Sequence, residues 1–185
     1  AVLLLAPRHI ERVESVEAMI RARGLAVQRR STIGQVGALQ PIGTRVLLLD
    51  SRGELPAIYR EAVVAFVGGT LVPIGGHNVR EPAQWAKPVL FGPRTDHCAE
   101  IADLLIQAGG GYRVSHQEDL TRQVLALFSD DEQRERMGRS ARQVVEQNQG
   151  ALEQTLEAIE KLLMQQQGSS GAPRAERSLP LMAER

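Results

Sequence analysis

The sequence predicts an α/β fold with a doubly wound parallel sheet, followed by a helical carboxyl-terminal part and a disordered tail. Three observations lead there. Short runs that are apolar throughout recur along the first 128 residues, as strands buried on both faces of a parallel sheet require. Longer stretches between them place apolar residues at helical spacing. The two kinds of segment alternate at the interval of strand–helix–strand units.

Residues 2–6 read as the first strand and residues 10–23 as a helix, with Ile10, Val13, Val16 and Ile20 on one face and Gly24 as its stop. Strands follow at 25–29 and 45–50, then a short helix at 56–61 with proline in its first turn. A strand at 63–67 leads into a glycine-rich loop and a helix over 80–86. Residues 88–91, 99–108 and 112–114 read as strand, helix and strand, which completes a Rossmann-like series. Helices are expected over 118–128, where Leu120, Val124, Leu127 and Phe128 recur, and separately over 131–148 and 151–167. The last of these aligns Leu152, Leu156, Ile159 and Leu163. Residues 1–167 are expected to form one domain. Residues 168–185, GSSGAPRAERSLPLMAER, lack periodicity and read as a disordered tail. A chain that opens on a core strand, with no initiator Met or basic leader, is expected to be a piece of a longer protein with a domain ahead of it.

Composition narrows the function classes. Twenty-two basic side chains balance twenty-two acidic ones, so bulk charge does not suit a nucleic-acid partner. One Trp, two Tyr and three Phe are too few for a platform of stacking rings. The longest apolar runs, residues 1–6 and 62–67, are six residues each, against the roughly 20 of a membrane helix. A lone cysteine, Cys98, excludes an internal disulfide and a multi-cysteine metal site.

In an open parallel sheet, ligands bind beyond the carboxyl ends of the strands. Three segments place unusual residues there: Pro7-Arg8-His9, the stretch SRGELP at 51–56, and the loop GGTLVPIGGHNVREPA at 68–83. Glycines let a ligand approach backbone N–H groups, and a helix start at Asn78 would add donors suited to phosphate. Asn78 followed by Glu81 is equally the spacing of a capping box, with Glu81 bonding back to the cap N–H. Neither a Walker loop nor a dinucleotide fingerprint is present. Arg8 suits a phosphate or carboxylate, or is a surface residue of a turn. Gly53-Glu54-Leu55 offers backbone groups to a flat base, or is a plain turn closed by Pro56. Of the four histidines, His77 beside the glycines is the functional candidate. His9, His97, His116 and Cys98 read as solvated or structural, and Arg21, Arg23, Arg29 and Arg30 as a solvated face.

Read together, these segments resemble a known family. APRH with Glu11-Arg12, DSRGELP, FVGGTLVPIGGHNVREPA, PVLFGP and Gln147-Asn148-Gln149-Gly150-Ala151 occur in the order found in the 3-deoxy-D-manno-octulosonic acid (Kdo) transferases. The resemblance runs from Val2 to Leu163 and covers the carboxyl-terminal half of such an enzyme, which has the two-Rossmann-domain GT-B fold. Three places depart from it: Ile10 replaces a usual proline, Ser51-Arg52 a Thr-Met, and Val79-Arg80 a Pro-Leu. Arg80 adds a charge near the site.

The resemblance implies a glycosyltransferase that moves Kdo from CMP-Kdo onto a lipid A precursor during lipopolysaccharide inner-core synthesis. It implies that this domain binds the CMP part of the donor and that no metal or other cofactor takes part. Arg8 would meet the phosphate, Gly53, Glu54 and Leu55 would border the cytosine, and Asn78 with the Gly75 and Gly76 amides would face the phosphate. Glu81 would accept hydrogen bonds from the ribose hydroxyls. Pro7, Gly69, Thr70 and His77 complete the implied nucleotide-binding set. The general base, the acceptor surface and the membrane anchor would belong to an amino-terminal domain. The fragment alone would then hold no catalytic residue and be inactive, and the whole enzyme would work at the cytoplasmic face of the inner membrane. Two other readings fit the residues: another GT-B protein acting on a UDP-sugar as transferase or epimerase, and a non-catalytic nucleotide-binding module.

Overall fold

The computed structural model describes residues 1–33 and 45–169. It divides into two compact units, Ala1–Val144 and Val145–Arg185. The first carries every described strand: β1 (Leu3–Leu5), β2 (Val27–Arg29), β3 (Val46–Leu48), β4 (Ala65–Val67), β5 (Val89–Phe91) and β6 (Gly111–Arg113). The helices are α1 (Val13–Ala22), α2 (Leu55–Ile58), α3 (Arg80–Ala83), α4 (Ala99–Gln107), α5 (Gln117–Ser129) and α6 (Asp131–Ser169).

The strands form two parallel three-stranded sheets, ordered β1-β3-β2 and β4-β5-β6. Register aligns Leu5, Leu48 and Arg29 in one sheet and Val67, Phe91 and Arg113 in the other. The carboxyl ends within each sheet are therefore level, and the loops leaving them emerge along one edge. The predicted α/β class and its parallel strands are what the chain forms. Burial differs from the expectation of strands covered on both faces. Central β3 and β5 contain the fully buried Leu48, Leu90 and Phe91, whereas Leu3 of β1 is 57% exposed and Phe66 of β4 is 38% exposed. An edge strand has a neighbour on one side only, and pairing order is not written in the local pattern.

Helices cover the sheets as their periodicity requires. Val13 and Ile20 of α1 are buried, with α1 packed on β2 and β3. Ile101, Ala102 and Leu105 of α4 are buried, with α4 packed on β6. Helix α3 ends at Ala83, short of the expected 86, and Leu55 opens α2 instead of closing the preceding loop. The two helices expected over 131–148 and 151–167 are one element, α6. A single glycine, Gly150, costs a helix interior only about 1 kcal/mol and does not by itself end it. Gly168 and Ser169 belong to α6, and the rest of the expected tail lies outside the described residues. Among the described residues, no helix is long and apolar enough to cross a membrane.

One side chain ties the loops after β4 and β5 together. Thr70 is fully buried; its hydroxyl donates to the Val67 carbonyl at 2.6 Å and accepts the Gly92 N–H at 2.7 Å. Its own carbonyl accepts the Arg94 N–H at 2.9 Å. Thr70→Val preserves shape but strands the buried Gly92 N–H, at a cost of about 1–3 kcal/mol. Urea unfolding should show a lower midpoint at unchanged slope, with Thr70→Ser milder. An unaltered midpoint for the valine variant would contradict the tie.

Candidate functional site

Segments that follow β1, β4 and β5 meet in one cleft, whereas none of residues 51–56 lines it. Arg8, Gly76, His77, Asn78, His97 and Cys98 line a cleft of about 330 Å³. Arg8 arrives on the turn after β1, the Gly76–Asn78 backbone on the loop after β4, and His97 with Cys98 on the loop after β5. Sequence reasoning missed the last two residues. The available signal was topological, because in a parallel sheet every strand-to-helix loop reaches the same edge.

The glycine loop owes its shape to two positions. Gly75 and Gly76 lie at φ +84° and +72°, a region that side-chain-bearing residues rarely adopt. A Cβ at Gly76 would also approach Thr70 Cγ2 to 2.6 Å, and one at Gly75 would run into the His97 ring. The Gly76 N–H donates to the Gly69 carbonyl at 3.2 Å. Among the described residues the amides of Gly75, His77 and Asn78, on either side of Gly76, have no hydrogen-bond partner. Thr70, grouped by the sequence with the ligand-binding set, has its hydroxyl buried and engaged by backbone.

Asn78 resolves one of the open alternatives. Its Oδ1 accepts the Arg80 N–H at 3.0 Å, and its Nδ2 donates to Glu81 Oε1 at 3.4 Å. Asn78 thus caps the turn, but Glu81 meets its side chain and not the cap N–H, so the full capping box does not form. With α3 only four residues long, its dipole adds little to anion binding.

Gly53 is exposed, and a Cβ there would meet nothing within 4 Å. The Glu54 carboxylate pairs with Arg30 Nε at 2.8 Å, while its carbonyl accepts the Ala57 and Ile58 amides at 3.1 Å each. Downstream of α2, the turn at Tyr59–Glu61 packs against α3. Burial, and then the nearby Glu81 carboxylate, push the Tyr59 phenol up to about 12. The 53–55 turn and Glu81 are thereby held on adjoining elements.

Electrostatics gather around His77. Burial lowers its pKa, the Arg8 guanidinium lowers it further, Glu81 opposes, and His9 adds a small lowering effect. Burial raises the Cys98 pKa, so the thiol stays protonated at neutral pH and is a poor nucleophile; its Sγ donates to the His77 carbonyl at 3.6 Å. Arg8, Arg52 and Arg94 on strand-end loops, and Arg80 at the start of α3, form no ion pair and donate no hydrogen bond from the guanidinium among the described residues. By contrast Arg21, Arg122, Arg134, Arg136 and Arg139 on the helices each reach a carboxylate. Cations left uncompensated along one edge favour an anionic ligand there. No group of three or more His, Cys, Asp or Glu among the described residues is arranged to hold a metal ion.

The His77 shift has a sign that can be checked. A folded-state pKa below 6.5 means the unfolded chain binds that proton more readily, so stability present above 6.5 declines as pH falls toward the lowered value. Thermal melts between about pH 5 and 7.5 should show a shallower pH dependence for His77→Gln than for the parent chain. An identical slope would contradict the burial of a neutral imidazole.

No protein-family model matches the chain. It is 39% identical over 162 residues to the 3-deoxy-D-manno-octulosonic acid transferase of Haemophilus influenzae, covering 87% of this chain and 37% of that protein. The enzyme of the same name from Bordetella pertussis is 36% identical over 163 residues, with the same coverage of 87% and 37%. The chain thus spans a little over a third of the length of these curated relatives. Among solved structures, the C-terminal CMP-Kdo binding domain of WaaA from Acinetobacter baumannii superposes with a TM-score of 0.71 at 32% identity, covering 78% of this chain and 73% of that one. Sequence and fold agree, and the chain belongs to the 3-deoxy-D-manno-octulosonic acid transferase family.

Proposed function

We propose that this chain is the donor-binding domain of a glycosyltransferase that takes Kdo from CMP-Kdo and attaches it to a lipid A precursor. The observation that carries the reading is the cleft where Arg8 faces the Gly76–Asn78 backbone, in a domain whose fold matches a CMP-Kdo binding domain. Arg8 and the unpartnered amides of Gly75, His77 and Asn78 hold the phosphate. The turn at Gly53, Glu54 and Leu55 borders the cytosine, and Glu81, an acceptor-only carboxylate, takes the ribose hydroxyls. Pro7 and Gly69 shape the two loops, and Thr70 holds the second of them in place.

Transfer of the sugar leaves negative charge on the departing phosphate. Oriented N–H donors and a guanidinium stabilise that charge best when they are positioned in advance, and the strand-end loops provide both kinds of group. The general base and the acceptor lipid belong to the remainder of the protein, which works at the inner membrane where that lipid resides. The domain by itself binds nucleotide and turns nothing over.

Calorimetric titration of the chain with CMP, UMP and GMP tests the reading, with CMP expected to bind most tightly. A preference for UMP would move the domain to a UDP-sugar enzyme, and equal binding of all three would remove base reading by residues 53–55. Glu81→Ala should weaken CMP about tenfold, or 1.4 kcal/mol, and leave inorganic phosphate unchanged. Equal losses for both ligands would make Glu81 a support of the Asn78 turn and not a ribose contact.

A further inference from the structure

The cleft continues into a second one of about 490 Å³, which shares Asn78, His97 and Cys98 with the first and adds Arg80, Asp96 and Glu100. His97 therefore stands on the wall between the two. Its seat is fixed from both sides. The preceding loop is anchored by the Arg94 N–H on the Thr70 carbonyl and by the Cys98 N–H on the Thr95 carbonyl, at 2.9 and 2.8 Å. The ring lies over Gly75, where any Cβ would collide with Nε2 and Cδ2. Nδ1 is the ring nitrogen farther from that backbone. The His97 side chain is exposed and makes no hydrogen bond or ion pair among the described residues. A packing histidine would bury its ring; this one is held in place with its polar edge unused, in the cleft that Arg8 also lines.

We propose that His97 is a further donor-contacting residue, which hydrogen-bonds the nucleotide phosphate in the cleft it shares with Arg8, at the junction where the second cleft receives the group esterified to that phosphate. The assignment rests on the CMP reading above. It explains why position 75 is glycine beyond the needs of the turn, since the imidazole occupies the space a side chain would fill. It also gives the phosphate a ligand from the loop after β5, so that the loops after β1, β4 and β5 converge on one group.

NMR titrations of the chain with cytidine and with CMP separate contact from support. His97→Ala should weaken CMP about tenfold, as loss of one hydrogen bond to a charged group does, and leave cytidine affinity unchanged. His97→Gln, which keeps a side-chain N–H donor, should recover part of the loss and guards against a misfolded alanine variant. Equal weakening of CMP and cytidine would show that His97 only props the Gly75 loop, and unchanged CMP affinity would show that it contributes nothing; either result overturns the proposal. A parent chain that binds neither ligand would instead overturn the CMP reading, and the His97 assignment would fall with it.

Discussion

The Thr70 hydroxyl, fully enclosed between the Val67 carbonyl and the Gly92 N–H, sets the distance between the loops that leave β4 and β5. Those loops carry most of the candidate site. The Thr70 carbonyl then fixes Arg94, which starts the segment leading to His97, and its methyl lies against the position where Gly76 has no side chain. A buried hydroxyl with both bonds made is strongly directional, and replacing it leaves an unsatisfied amide in the interior. The cleft is accordingly assembled by the protein before any ligand arrives, which lowers the ordering cost of binding.

Against that fixed frame, the charges at the strand ends are deliberately incomplete in a physical sense. Helix arginines find carboxylates one turn away, as Arg136 does with Glu132 and Arg139 with Glu135. Among the described residues Arg8, Arg52 and Arg94 find none, whereas Arg29, Arg30 and Arg113 at other strand ends are paired. Arg8 also acts on His77, whose imidazole burial already favours in neutral form, so the site gains a donor without a second full positive charge. An anionic ligand would compensate Arg8 and at the same time relieve the pressure on His77.

Much of this was legible from residue order. Apolar runs locate every described strand to within a few residues, and a parallel arrangement by itself predicts that Arg8, Gly53 and the 68–83 loop lie at strand carboxyl ends. Other features depend on partners distant in sequence. Exposure of Leu3 and Phe66 follows from which strand sits at an edge. The lock made by Thr70 requires Gly92, twenty-two residues away, so the residues around Thr70 do not reveal it. His97 and Cys98 follow a strand whose loop lacks a glycine cluster, and nothing in their immediate neighbours marks them. Gly150 reads as a stop although α6 runs through it, because a single unfavourable residue is outweighed by the helix on either side.

The central claim is that a cytidine nucleotide lies across the strand ends with its phosphate between the β1 turn and the loop after β4. Amide chemical-shift mapping of the chain during titration with CMP tests it most directly. The account places the largest shifts at Arg8, Gly53 to Leu55, Gly75 to Asn78 and Glu81, together with His97. Shifts concentrated away from these loops, on the exposed faces of α1 or α5 for example, would contradict it.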